Sequence, residues 1–158
     1  MSNRMDPNAI DAVGLVPLER VRTKLAALWM IGGSSIVGML VIQSLLGRYG
    51  DKVQDAWGWL LPTLMPTLTM ILAVLGYSAL SHTMSGIVVR RDFFTLAFWL
   101  SAFYLFLIII TIIIQPFAVS SRDEAIGLMR MSNLWLGPLQ GLVSSVLGVL
   151  FVTKQKRH

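Results

Sequence analysis

Cysteine is absent from the 158 residues, histidine occurs twice, and charged side chains make up only 13%. Without cysteine there is no disulfide, no thiolate nucleophile and no cysteine metal ligand. Neither histidine, His82 or His158, falls in an apolar stretch, so no histidine pair can hold a haem inside a membrane. There is no His-Glu-x-x-His, no carboxylate cluster and no nucleotide-binding loop, which removes the usual metal and phosphate sites. A Ser–His or paired-Asp hydrolase working within the bilayer needs partners at depth, and none occur. His82 beside Ser81 reads as a solvated helix end. The expectation is a protein that is not an enzyme and needs no cofactor or metal.

The shortage of charge is itself informative, because a soluble domain carries about 25% charged residues. What takes their place is apolar and unevenly distributed. Four blocks, Leu25–Leu46, Trp59–Leu80, Phe93–Phe117 and Leu134–Val152, contain no Asp, Glu, Lys, Arg or His. They hold 22, 22, 25 and 19 residues. A helix crosses the hydrocarbon core of a bilayer with about 20 apolar residues, at about 1.5 Å each. Greasy helices of soluble proteins run about 10–14. The first block is expected to be a retained span rather than a cleaved signal, since its leader carries Asp6, Asp11 and Glu19, its core is too long and no small-residue cleavage pattern follows.

The expected fold is therefore all-α, a polytopic membrane protein built as a four-transmembrane-helix bundle. Its segments are a cytoplasmic N-terminal stretch, 1–24, with a short amphipathic helix opening at Asp6-Pro7, a transmembrane domain, 25–153, and a basic tail, 154–158. Pro17 is expected to open the helix that runs into the first span.

Basic residues in short loops mark the cytoplasmic side. The N-terminal segment, the middle loop and the tail hold Arg4, Arg20, Arg22, Lys24, Arg90, Arg91, Lys154, Lys156 and Arg157, against Arg48, Lys52, Arg122 and Arg130 in the other two loops. The acids divide evenly, so the net charge of +5 falls on one face. Both termini are expected inside, in a bacterial inner membrane or plasma membrane. The aromatic residues agree: Trp29, Tyr77, Phe93 and Phe94 fall near the inner headgroups, and Tyr49, Trp57, Trp59 and Trp135 near the outer ones. The positive charge has its explanation in topology, and no nucleic-acid partner is expected. Arg20, Arg22, Lys24, Arg90, Arg91, Lys154, Lys156 and Arg157 are the candidate contacts for anionic lipid or a cytoplasmic protein partner.

Small residues let helix backbones approach in lipid. Gly33, Ser34 and Gly38 in the first span, and Gly137, Gly141, Ser145 and Gly148 in the last, are the candidate packing positions. Pro138 lies within the last set and is expected to bend that helix or start it. The second span carries Pro62 and Pro66, four apart, which remove two backbone donors on one side of the helix. The freed carbonyls need partners, for which Thr63, Thr67 and Thr69 are candidates, and the site reads as a kink or hinge. Gln43, Gln115 and Gln140 fall toward the outer half, where they are expected to bond one another or a partner chain. In the loop before the last span, Ser121-Arg122-Asp123-Glu124 matches a capping box and predicts a short helix through Ile126 and Met129.

Coupled transport is disfavoured, because the spans hold no ionisable residue to carry the coupling ion. Two readings remain foremost. One is a small self-associating membrane protein with a channel, pore or membrane-disrupting role, controlled by a partner. The other is an accessory or anchoring subunit of a larger membrane complex. A small facilitative transporter is third, and no internal repeat supports it.

Overall fold

The computed structural model describes residues 14–80, 88–118 and 121–152. The proposed helix at Asp6-Pro7, His82, and the tail bearing Lys154, Lys156, Arg157 and His158 lie outside them. Four long helices dominate: α1 (Leu18–Leu45), α2 (Val53–Leu80), α3 (Arg91–Ala118) and α4 (Arg122–Val152). A short antiparallel ladder of β1 (Leu15–Pro17) and β2 (Val88–Arg90) precedes α1 and α3. The ladder pairs Leu15 with Arg90, Val16 with Val89 and Pro17 with Val88. Arg91 N extends it by donating to Gly14 O at 2.9 Å. This ladder has no counterpart in the sequence reading, because strands this short carry no measurable alternation.

Pro17 ends β1 and stands as the residue before the first turn of α1, its φ of −57° already suited to the entry. α1 stops in a Schellman arrangement. Gly47 adopts φ +69°, Arg48 N donates to Gln43 O at 3.0 Å, and Gly47 N donates to Ser44 O at 3.1 Å. A side chain at position 47 would strain that left-handed turn. A 3₁₀ turn, Gly50–Lys52, then feeds α2.

α2 and α4 begin well before the charge-free blocks. α2 includes Asp55, and the segment expected as a separate short helix is the first three turns of α4. The capping box forms at its head: Glu124 N donates to Ser121 Oγ at 3.2 Å, and Ser121 N donates to Glu124 Oε2 at 3.4 Å. Pro138 neither starts nor ends a helix and sits inside α4, as Pro62 and Pro66 sit inside α2.

Each helix has two adjacent neighbours, giving the ring order α1–α2–α4–α3, with α3 and α4 the most extensively packed pair. Gly32 and Gly33 explain how α1 fits between its two neighbours. A methyl group on Gly32 would stand 2.8 Å from Leu105 Cδ1 of α3, and one on Gly33 would stand 3.3 Å from Leu68 Cδ1 of α2. Two consecutive glycines therefore seat leucines from different helices. The core between the helices is filled by Trp29, Leu64, Tyr104, Ile108 and Leu147, all buried. The Trp29 and Tyr104 rings lie 5.9 Å apart.

Candidate functional site

The paired prolines of α2 meet α4 at a specific point. Pro66 has no N–H, so the carbonyl of Pro62, one turn earlier, loses its helical donor. Gln140 Nε2 of α4 donates to that carbonyl at 3.1 Å. The threonines do not take this role. Thr63 Oγ1 donates to Trp59 O at 2.7 Å and Thr69 Oγ1 to Met65 O at 2.8 Å, each within its own helix. Thr67 Oγ1 is buried without a partner. Tyr104 Oη of α3 donates to Thr63 O at 2.9 Å, so α2 receives a side-chain donor from each of two neighbours beside its prolines. Nearby, Trp59 Nε1 donates to Ser132 Oγ of α4 at 3.1 Å.

Gln43 and Gln115 do not bond each other. Tyr49, fully buried between α1 and α2, stands between them, hydrogen-bonded to Gln43 Oε1 and 3.1 Å from the Gln115 amide. A hydroxyl carries one proton and cannot donate to two oxygens. Amide O and N are equivalent in shape, and turning Gln115 by half a rotation gives Tyr49 Oη a donor on that side, with the Gln115 carbonyl taking the buried position opposite. Gln115 Nε2, otherwise buried without a partner, then donates to Tyr49 Oη, which donates to Gln43 Oε1. Burial pushes the Tyr49 hydroxyl up to about 12, against a smaller lowering by Arg48. Sequence reasoning had Tyr49 only as an interfacial ring.

The charges at this end also pair across the bundle. Lys52 bonds Asp123, and Arg130 Nη2 lies 3.5 Å from Asp55 Oδ1, both joining the start of α2 to the start of α4. They are exposed, and such pairs contribute about 0–1 kcal/mol.

At the opposite end, Arg22 departs from the expected lipid or partner contact. Its side chain is buried, with Nε donating to Leu150 O at 3.0 Å and Nη2 to Phe151 O at 2.8 Å. Its guanidinium also lies 5.9 Å from the centre of the Phe151 ring. A cation on these carbonyls meets acceptors for which no described residue supplies a helical donor, and it complements the negative end of the helix dipole. It also brings the start of α1 and the end of α4 together across the ring. Arg20, Lys24, Arg90 and Arg91 are not buried, and Arg90 pairs with Asp92 at 3.1 Å.

The small residues split into two groups. Gly33 is buried and spent on packing within the chain. Methyl groups on Gly38, Gly137, Gly141 or Gly148 would meet nothing within 4 Å. Ser34 and Ser145 are exposed, and Ser145 Oγ is turned back to Gly141 O at 2.8 Å. Among the described residues, the positions of Gly38 on α1 and of Gly137, Gly141 and Gly148 on α4 therefore face away from the other helices.

Among the described residues, four helices are long and apolar enough to cross a membrane. Held in one bundle with both described chain ends together, they have the length and apolarity of a multi-pass membrane protein of the helical class. No protein-family model, no curated protein and no solved structure matches the chain.

Proposed function

We propose that this is a non-enzymatic, multi-pass membrane protein, with both termini cytoplasmic, that self-associates through the outward glycine face of α4. Any conduction path it forms lies between subunits. The observation that carries this reading is the open space over Gly137, Gly141 and Gly148. These positions follow the small-residue spacing by which helices pair in lipid, yet no helix of the same chain uses them. The bundle interior supports the second part, since Trp29, Leu64 and Tyr104 fill it. The excess of basic residues at the end bearing the termini supports the orientation. The glutamines do not carry this reading, because each has a hydrogen-bond partner inside the chain.

The natural lack of cysteine makes the test direct. Gly141→Cys should form a covalent dimer on oxidation in native membranes, and Gly33→Cys should not. Liposomes carrying the wild-type protein should leak small ions, and Gly141→Leu should suppress leak and dimer together. Failure to cross-link at 137, 141 and 148, with a monomeric mass in lipid, would contradict the proposal. A cross-link to a different membrane protein would replace it with the accessory-subunit reading.

A further inference from the structure

An open cleft of about 290 Å³ lies between α1 and α3, lined by Lys24, Phe94, Thr95, Phe98 and Trp99. Lys24 is the last charged residue of α1 before the apolar stretch, as Asp92 is of α3. The cleft therefore begins where charge ends and runs along α3 into the apolar zone. Its wall is aromatic: Phe94 and Phe98 lie 6.0 Å apart, and Trp99 packs edge-on to Phe98 at 6.1 Å. Trp99 keeps 67% of its surface exposed. Lys24 Nζ sits 5.9 Å from the centre of the Phe94 ring, at the cleft's polar end. Thr95 Oγ1 already donates to Arg91 O at 2.9 Å, so Lys24 is the charged donor that faces the cleft.

Arg20 precedes Lys24 by one helical turn on α1, and Arg91 precedes Thr95 by one turn on α3, so both stand on the water side of the same cleft. Both are exposed, and the ion pairs among the described residues involve neither. A cation at the polar end of an aromatic slot suits a molecule with an anionic head and an apolar tail. We infer that this cleft binds an anionic phospholipid, its phosphate on the Lys24 ammonium and one acyl chain along Phe94, Phe98 and Trp99. The volume falls just below the range for ligand pockets, about 300–1,000 Å³. That is room for one chain rather than a whole lipid. The phosphate is held by charge and the chain by apolar burial, so the two contributions can be separated.

The inference rests on the membrane reading of the chain and not on self-association. Full-length protein is reconstituted into nanodiscs of phosphatidylcholine and phosphatidylglycerol in equal parts, and retained lipid is counted by native mass spectrometry after release into detergent. Wild type should retain phosphatidylglycerol preferentially. Lys24→Gln should cut that preference about five-fold, the equivalent of about 1 kcal/mol for one basic residue at the surface. Trp99→Ala should lower retention of both lipids and leave their ratio unchanged. Arg130→Gln, at the other end of the bundle, should change neither. An unchanged ratio in Lys24→Gln, or equal retention of the two lipids by wild type, would overturn the site. A protein that does not enter the nanodisc would overturn the membrane reading beneath it.

Discussion

At the scale of residues, the bundle is pinned by a few side chains that answer backbone groups left without helical partners. Gln140 is the clearest, because its acceptor exists only through a proline on another helix. Gln140→Leu should cost about 1 kcal/mol in a detergent-unfolding measurement, as loss of a hydrogen-bond partner does. Pro66→Ala restores the missing N–H, and in that background Gln140→Leu should cost almost nothing. Additive effects of the two substitutions would contradict the pairing. Arg22 plays the equivalent part for the end of α4. Arg22→Met should destabilise by about 1–3 kcal/mol and Arg22→Lys by less, since a lysine reaches as a single point. For Tyr49, ionisation is opposed by burial, from an ordinary 10.0 up to about 12. The unfolded chain gives up that proton first, so this contribution is complete below pH 10 and is lost as the pH rises toward 12. Stability between pH 9 and 11.5 should therefore fall less steeply in Tyr49→Phe than in wild type. None of these partnerships was legible in the sequence. Residue type announced that Gln43, Gln115 and Gln140 needed partners, but which atom each would find depends on how the helices sit side by side.

At the scale of elements, charge-free runs located all four helices and their far ends to within a residue, but not the early starts of α2 and α4. Such a run measures the stretch that tolerates hydrocarbon, whereas a helix continues wherever its backbone bonds are made. α2 starts at Val53 and α4 at Arg122 because their first turns carry charges outward and Ala56, Ile126 and Met129 inward. The capping box was legible, being a purely local exchange between Ser121 and Glu124. The prolines were legible as lost donors but not as continuous helix, because the remedy came from α4. Small residues were legible as packing positions, yet spacing could not tell an inner face from an outer one. That distinction is testable. Gly33→Leu drives a side chain into Leu68 and should destabilise the monomer by about 1–3 kcal/mol. Gly141→Leu meets only open space and should leave monomer stability within about 0.5 kcal/mol, while weakening association in the bilayer.

At the scale of the whole molecule, a 28-residue α1 reaches about 42 Å, more than the roughly 30 Å of a hydrocarbon core. A span of that length would leave a turn or two for the headgroup zone, at the ends that carry Lys52, Asp123, Arg20 and Lys24. The ring order α1–α2–α4–α3 carries the chain from α2 to α3 across a diagonal, which spacing along the sequence could not show. Both described ends lie at one end of the bundle, and the proposed role needs that end to face the cytoplasm. Single cysteines in this cysteine-free chain, labelled with a membrane-impermeant maleimide on intact cells, test it most directly. Cysteines at Arg48 and Asp123 should react from outside, and cysteines at Arg20 and Arg91 only after the membrane is opened. Labelling of all four in intact cells, or the reverse pattern, would contradict the account.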